Sequence, residues 1–394
     1  MPSSNQFSAT EPAELSTVAA EDDVQAHWNR VIKRRSFLKG MTIAGAAAVP
    51  GSALFASGAA ASDSARLTDG DAAILRFLAA AELIESDLWE QYTELGGVSV
   101  NGKSDGESPG VPAGGGNAPY VAALTSIDGD MPQYITDNTD DEFSHAAFLN
   151  AYLEAHGRRK VDLDEFRNLP SSTATGARNK GRLTNLMNLN VDTSWYTRYR
   201  STANVDFGAS SFAQLLTIKH QPAIPTNKAD EQNSARIQAI ANTAAFHFAF
   251  IEQGGSSLYT TLLQQASSVE VLRIVASIGG TEVDHFSLWH DKVSTAVAPP
   301  NNVTDPVTHL AFPDLSSNTD ELKQTNLILP EPCTFISPAL PKVSVIRPSS
   351  TANSGAVAAV NAFTDDNLFD GQPPSFFRKL MELAEAADAA RRDV

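Results

Sequence analysis

The chain has 394 residues, of which 42% are hydrophobic, so it is long enough for one or two domains with a buried core. Its formal net charge of −17 argues against binding nucleic acid or anionic lipid through the overall charge, and it favours cations near the surface. The single cysteine, Cys333, excludes an internal disulfide, an iron–sulfur cluster and a thiolate zinc site, which all need more than one cysteine.

Residues 1–61 are predicted to be an export signal rather than part of the fold. They contain the twin-arginine motif Lys33-Arg34-Arg35-Ser36-Phe37-Leu38-Lys39, an alanine-rich stretch over 41–56 and the small-residue cleavage signature Ala59-Ala60-Ala61. The apolar stretch is too short for a stable membrane span, although an uncleaved anchor is the alternative interpretation. We therefore expect twin-arginine export to the periplasm, cell envelope or exterior. Substrates of this route cross folded and often carry a metal, so a metal site is compatible with it.

Four long helical patterns follow one another in residues 62–298, which we assign to one domain. They cover residues 71–92, 132–156, 229–263 and 269–293, and apolar residues recur in them at three-, four- and seven-residue steps. A shorter helix is expected over 120–127. The spacing predicts a mainly helical protein built on a four-helix bundle.

Two further segments surround this pattern. Residues 158–230 form a long crossover insertion between the second and third helices, which we expect to fold as a lid or side layer. The insertion includes an aromatic and basic patch over 195–200. After residue 298 the composition changes to Pro, Ser, Thr and Asn, which predicts an irregular C-terminal extension over 299–394. We expect an extended or β-containing tail over 300–370 and one amphipathic helix over 376–392.

Two Glu-x-x-His motifs lie in the second and fourth helices, as Glu142 with His145 and Glu282 with His285. Positions i and i+3 share one helix face, so each pair points in one direction. A carboxylate can bridge two cations and a neutral imidazole can bind one of them. One such motif would be weak evidence, but two of them indicate a dinuclear metal site inside a bundle.

The other two helices each offer a carboxylate on an apolar face. On the third helix it is Glu252, since no other acidic residue lies between Glu231 and Glu270. On the first helix it is Glu82 or Glu85, and Glu82 has the more continuously apolar face. Burial of these carboxylates without a partner would be costly, and a metal would compensate for it. The alternative is that the carboxylates lie on helix surfaces and the histidines are ordinary core residues.

Several further residues are expected just outside the metal ligands. Asp141 and Thr281 directly precede the two motif glutamates, and the twofold symmetry of a bundle predicts that Asp141 accepts from His285 and Thr281 from His145. The competing interpretation places Asp141 in an exposed turn. Three more residues belong to this outer set. They are Trp89, seven residues after Glu82, Tyr259, seven residues after Glu252, and Glu85. The paired glycines at 254–255 and 279–280 indicate either close helix approach or a kink without a role.

The chain resembles the exported ferritin-like domain proteins of bacteria, sometimes grouped with desiccation-related proteins. The resemblance rests on Ala81-Glu82-Leu83-Ile84-Glu85, the two Glu-x-x-His motifs, and Glu252 with Tyr259, and it covers roughly residues 70 to 293. It implies a ferritin-like four-helix bundle and a dinuclear iron or manganese site. The implied ligands are Glu82, Glu142, His145, Glu252, Glu282 and His285. The insertion and the extension would obstruct a closed 24-subunit cage, while a smaller homo-oligomer remains compatible.

The resemblance leaves two kinds of function open. One is an oxidoreductase of the peroxidase, catalase or ferroxidase type, acting on peroxide, O₂ or ferrous iron with two ions of iron or manganese. The other is a non-catalytic stress or envelope protein with a structural or vestigial metal site, whose insertion and extension bind a partner.

Overall fold

A computed structural model describes residues 67–104, 106–203, 212–325, 328–346 and 350–392. The predicted export signal lies outside these described residues. Within them, none of the helices combines the length and the apolar character that a membrane crossing requires. The described residues belong to one compact unit.

The structure is mainly helical, as predicted. The helices are α1 (Asp69–Gly96), α2 (Ala118–Ile127), α3 (Met131–Ala155), α4 (Ser194–Arg198), α5 (Ser234–Leu263), α6 (Val269–Ala296), α7 (Thr351–Ser354), α8 (Ala356–Asp365) and α9 (Pro374–Asp388). Two short strands, β1 (Ser99–Val100) and β2 (Lys103–Ser104), pair antiparallel between α1 and α2.

Side-chain caps fix where three of the long helices begin. Thr68 accepts from the Asp71 amide at 3.0 Å before α1, and Ser268 accepts from the Val271 amide at 3.1 Å before α6. Asn233 caps α5 by accepting from the Ala235 and Arg236 amides. The third helix therefore starts later than the predicted residue 229, because residues 230–232 form a separate 3₁₀ turn.

The four long helices α1, α3, α5 and α6 form the bundle. Helix α1 packs along α3, and α5 packs along α6. Helices α1 and α5 are buried over most of their length, whereas α3 and α6 bury one face and expose the other. Each largely buried helix thus packs beside an amphipathic one, α1 beside α3 and α5 beside α6. Glutamates from all four helices lie in the shared interior.

The insertion folds against the bundle as a side layer with little regular structure. It contains a 3₁₀ turn at Asp164–Phe166, helix α4 and two isolated β-bridges, while 204–211 lie outside the described residues. Its main anchor is Asp87 of α1, which accepts from the Leu183 and Thr184 amides at 3.0 Å and from Arg167 at 2.6 Å. The aromatic and basic patch around Trp195 is buried rather than exposed.

The C-terminal extension differs from the prediction in two elements. Helix α9 agrees with the expected amphipathic helix, and it packs on α1. Helices α7 and α8, however, lie inside the stretch predicted to be extended. The buried residues of α8, Ala356, Ala359, Val360 and Phe363, follow helical spacing, so the sequence contains the pattern. Asp388 of α9 accepts from the first two amides of α8, which ties the two helices together.

Candidate metal centre

The structure brings the six predicted ligands together in the middle of the bundle. They form two overlapping groups, Glu82, Glu142, His145 and Glu282 in the first and Glu142, Glu252, Glu282 and His285 in the second. Within each group, one oxygen or nitrogen atom per residue lies within 4.8 Å of all the others. Glu142 and Glu282 are common to both groups, so they occupy the positions of bridging residues.

In the first group the donors converge on the Nδ1 atom of His145. This nitrogen lies 3.2 Å from Glu142 Oε2, 3.3 Å from Glu82 Oε2 and 3.7 Å from Glu282 Oε1. Helix α3 supplies the histidine and one glutamate on one face, as the i, i+3 spacing predicts. The other two carboxylates come from α1 and α6.

The second group repeats this arrangement around the Nδ1 atom of His285. This nitrogen lies 3.3 Å from Glu142 Oε1 and 3.2 Å from Glu252 Oε2. Glu142 therefore turns one carboxylate oxygen towards each histidine. This is the orientation that a carboxylate bridging two cations requires.

Burial and missing hydrogen bonds indicate that the cluster is suited to cations. The four carboxylates are at most 1% exposed. Three of their oxygens, Glu82 Oε2 and both oxygens of Glu282, make no hydrogen bond within the described residues. Buried polar atoms are almost always paired, and an isolated buried charge is very unfavourable. Two divalent cations would satisfy these oxygens and balance the negative charge.

The protonation of the metal-free cluster reflects this crowding. Burial raises the pKa of Glu82 to about 8, against the opposing effect of His145. Burial alone would lower the pKa of His145, but the neighbouring Glu82 and Glu142 outweigh it and raise that pKa to about 12. Burial also raises the pKa of Glu142, but its contacts with both histidines reverse the shift to well below the usual range.

Three groups hold the ligands in position. Asp141 Oδ2 lies 3.0 Å from His285 Nε2, the contact that the bundle symmetry predicts. Trp89 donates from Nε1 to Glu252 Oε1 at 3.1 Å, and the Tyr259 hydroxyl donates to Glu82 Oε1. The bond to Asp141 places the ring proton of His285 on Nε2, so Nδ1 is free to bind a cation.

Two predicted outer residues behave differently. Thr281 does not contact His145 in the described part of the chain, and its hydroxyl donates to the Ser277 carbonyl at 3.4 Å instead. The expected twofold symmetry of the outer contacts is therefore wrong on that side, since Thr281 points along its own helix. Glu85 is buried but lies outside both groups, and burial together with Glu282 raises its pKa well above the usual range.

Two supporting residues, Asn138 and Trp289, were not predicted from the sequence. Asn138 donates from Nδ2 to Glu142 Oε1 at 2.8 Å and to Glu252 Oε1 at 3.1 Å, and its own oxygen accepts from Trp289 at 2.7 Å. Asn138 lies four residues before Glu142 on the same helix, and Trp289 lies four residues after His285. The helical spacing from the motifs was the signal that could have identified both.

The paired glycines mark close approach between α5 and α6. A Cβ atom added at Gly255 would overlap Glu282 Oε2 and lie 2.9 Å from its Cδ, and one at Gly279 would lie 2.8 Å from Tyr259 Cβ. Both helices continue without interruption through these positions. Of the two readings, close approach holds at Gly255 and Gly279, whereas a Cβ at Gly280 would meet nothing within 4 Å.

A bundle with this buried carboxylate and histidine cluster defines a class of helical proteins compatible with a dinuclear metal site. Comparison with protein families matches residues 70–295 to the ferritin-like domain. The match covers more than half of the chain, so the chain belongs to the ferritin-like domain family. Searches of curated proteins and of solved structures each found no significant match.

Proposed function

We propose that the centre binds two ions of iron or manganese and that the chain is an oxidoreductase acting on peroxide, O₂ or ferrous iron. The observation that carries this proposal is the pair of overlapping groups that share Glu142 and Glu282. His145 and Glu82 would complete one site, and His285 and Glu252 the other. A bound pair of such ions supplies redox chemistry towards small oxidants.

The chain itself would provide position and enclosure. Trp89, Asn138 and Tyr259 each donate a hydrogen bond to a ligand carboxylate, which fixes the oxygen that remains for the cation. Asp141 holds the ring of His285 in one tautomer. Because the ligand carboxylates are fully buried, bulk water is kept away from them and the electrostatic interactions inside are strong.

A surface cavity supports access by small reactants. The cavity has a volume of about 510 Å³ and lies beside His285 and Asp141. Asp137, Asp284 and Asp291 also line it, so its charge favours an approaching cation such as ferrous iron. Hydrogen peroxide and O₂ are small and uncharged, so they would also enter.

The proposal includes export by the twin-arginine route to the periplasm, cell envelope or exterior. It rests on the motif over 33–39 and the cleavage signature at 59–61. Expression of the full chain in a bacterium with and without a functional twin-arginine pathway tests it. Mature protein that starts at Ser62 and depends on the pathway is expected, and cytoplasmic protein with an intact N-terminus would contradict export.

Metal analysis combined with a peroxide-consumption assay tests the central part. We expect close to two iron or manganese ions per purified chain, and we expect Glu282→Gln to lose both the metal and the turnover. Glu382→Gln, the same substitution at an exposed position of α9, serves as the control. A folded chain without either metal would refute the proposal. A chain that holds two ions but consumes neither peroxide nor O₂ nor oxidises ferrous iron would support the scaffold alternative.

A further inference from the structure

Three buried titratable side chains form a hydrogen-bonded triad beside the metal centre, and none of them is a predicted metal ligand. Tyr92 OH lies 2.7 Å from His247 Nδ1, and His247 Nε2 lies 3.0 Å from Asp366 Oδ2. All three residues are at most 1% exposed. Tyr92 lies on α1 and His247 on α5, but Asp366 follows α8 in the C-terminal extension, so only the folded extension completes the chain.

The hydrogen bonds fix where the protons lie. Burial raises the pKa of the Tyr92 phenol well above its usual range, so the phenol keeps its proton and donates it to His247 Nδ1. The ring proton of His247 then lies on Nε2 and is donated to Asp366. Burial raises the pKa of Asp366 to about 6, in spite of His247, so the carboxylate is ionised at neutral pH. A phenol, a base and a carboxylate are thus aligned for proton transfer.

Aromatic rings connect this chain to the metal ligands. The ring of Trp89 lies 5.6 Å from that of Tyr92, and Trp89 Nε1 donates to the ligand Glu252. The ring of Phe248 packs against both, 4.8 Å from Trp89 and 4.6 Å from Tyr92. Tyr92 is therefore separated from a ligand carboxylate by one indole ring.

At the other end of this triad, the buried Asp366 borders a cavity that is open to the surface. Asp366 lines a cavity of about 430 Å³ together with Asp365, Asp192 and Phe250. A small molecule in this cavity would lie next to the carboxylate that holds His247. The three residues thus lie between the metal ligands and an accessible cavity.

A structural role alone does not require this arrangement. Tyr120 is equally buried in the same core, and its hydroxyl donates to the Ala223 carbonyl at 2.7 Å. A backbone acceptor is thus enough to satisfy a buried phenol here. A buried imidazole–carboxylate contact is weak evidence for a stabilising role, so the histidine acceptor at Tyr92 leaves room for a role in proton transfer.

We propose that Tyr92, His247 and Asp366 form a proton-coupled electron relay between the metal centre and the cavity at Asp366, which rests on the proposed redox function. If the centre holds an oxidised metal pair, Tyr92 would supply one electron to it by way of Trp89, and the phenolic proton would move to His247 Nδ1. Tyr92 would then be a neutral radical, and His247 an imidazolium stabilised by Asp366. A small one-electron reductant in the cavity returns the electron, and the proton returns from His247.

Electron paramagnetic resonance tests the relay without measuring turnover. The full chain, loaded with ferrous iron, is mixed with hydrogen peroxide and frozen, and the spectrum is recorded. We expect a tyrosyl signal that narrows when the chain contains ring-deuterated tyrosine. Tyr92→Phe should lose the signal, and Tyr120→Phe should keep it. Asp366→Asn keeps the packing and should shorten the lifetime of the signal, so the test does not depend on the folding of one variant.

The outcomes separate the relay from the proposed function. A signal that persists in Tyr92→Phe, or that is lost only in Tyr259→Phe, would overturn the relay. A chain that binds two ions and consumes peroxide without any tyrosyl signal would overturn the relay and leave the proposed function intact. A chain that binds no metal would overturn both.

Discussion

Replacement of Gly255 by alanine should separate folding from metal binding. The added methyl carbon would overlap Oε2 of Glu282, one of the two residues shared by both groups, and lie 2.9 Å from its Cδ. The obstructing atoms belong to the end of a flexible side chain, so the carboxylate rather than the backbone will move. It must withdraw by on the order of 1 Å, far beyond the ~0.2 Å tolerance of a metal–ligand distance.

The two expected effects have opposite signs. Alanine in a helix interior is more favourable than glycine by about 1 kcal/mol, so the variant should fold at least as stably as the parent chain. A misplacement of ~1 Å at a reacting centre costs on the order of 100-fold, and we expect a loss of metal affinity of that size. No destabilising mechanism would produce both results together.

Gly280→Ala is the matched control, because a Cβ at that position of α6 meets nothing within 4 Å. It should gain similar stability and keep its metal affinity. Chemical denaturation of the metal-free chains and titration with ferrous iron or manganese measure the two quantities. The reasoning is refuted if Gly255→Ala binds metal as tightly as the parent, or if both variants weaken binding equally.

Three further changes test other parts of the account. Asp141→Ala should weaken metal binding by about 10- to 100-fold, because His285 loses its Nε2 partner. Glu154→Ala, at an exposed position of the same helix, should not, and equal effects in a metal titration would contradict this. Asp87→Ala should lower the free energy of unfolding by about 3 kcal/mol or more, since the insertion loses its buried anchor. Asp164→Ala, at the exposed carboxylate that shares Arg167, should stay within about 0.5 kcal/mol. Burial raises the pKa of Asp366 from 3.8 to about 6, so protonating this carboxyl group favours the folded state. Its stabilising contribution is complete below pH 3.8 and is lost as the pH rises through 6. Denaturation at pH 4 and 7 should therefore show that Asp366→Asn gains about 2 kcal/mol relative to the parent over that interval, and a constant difference would argue against the burial effect.

The four-helix bundle and most of the metal centre could be predicted from the sequence, because both depend on the spacing of residues within single helices. The i, i+3 spacing puts each motif glutamate and its histidine on one face, and Glu252 stands out as the lone acidic residue of its helix. Glu82 could be preferred over Glu85 from the apolar face, and the structure places Glu82 in the cluster.

What the sequence could not supply are contacts between distant segments. Asp366 contacts His247, which lies 119 positions earlier in the sequence, and no local sequence pattern predicts such a contact. Symmetry between the two motifs predicts a contact between Thr281 and His145, but the Thr281 hydroxyl donates to the nearer Ser277 carbonyl of its own helix. Helix α8 is a different case, because its spacing was visible and the surrounding Pro and Ser content masked it.

The central claim is that Glu142 and Glu282 bridge two metal ions. Anomalous scattering at the iron and manganese edges, from crystals of protein folded in its native host, tests it most directly. We predict two peaks per chain, one near His145 Nδ1 and Glu82 and the other near His285 Nδ1 and Glu252. A single peak, a pair elsewhere, or no peak at either edge in a correctly folded chain would contradict the account.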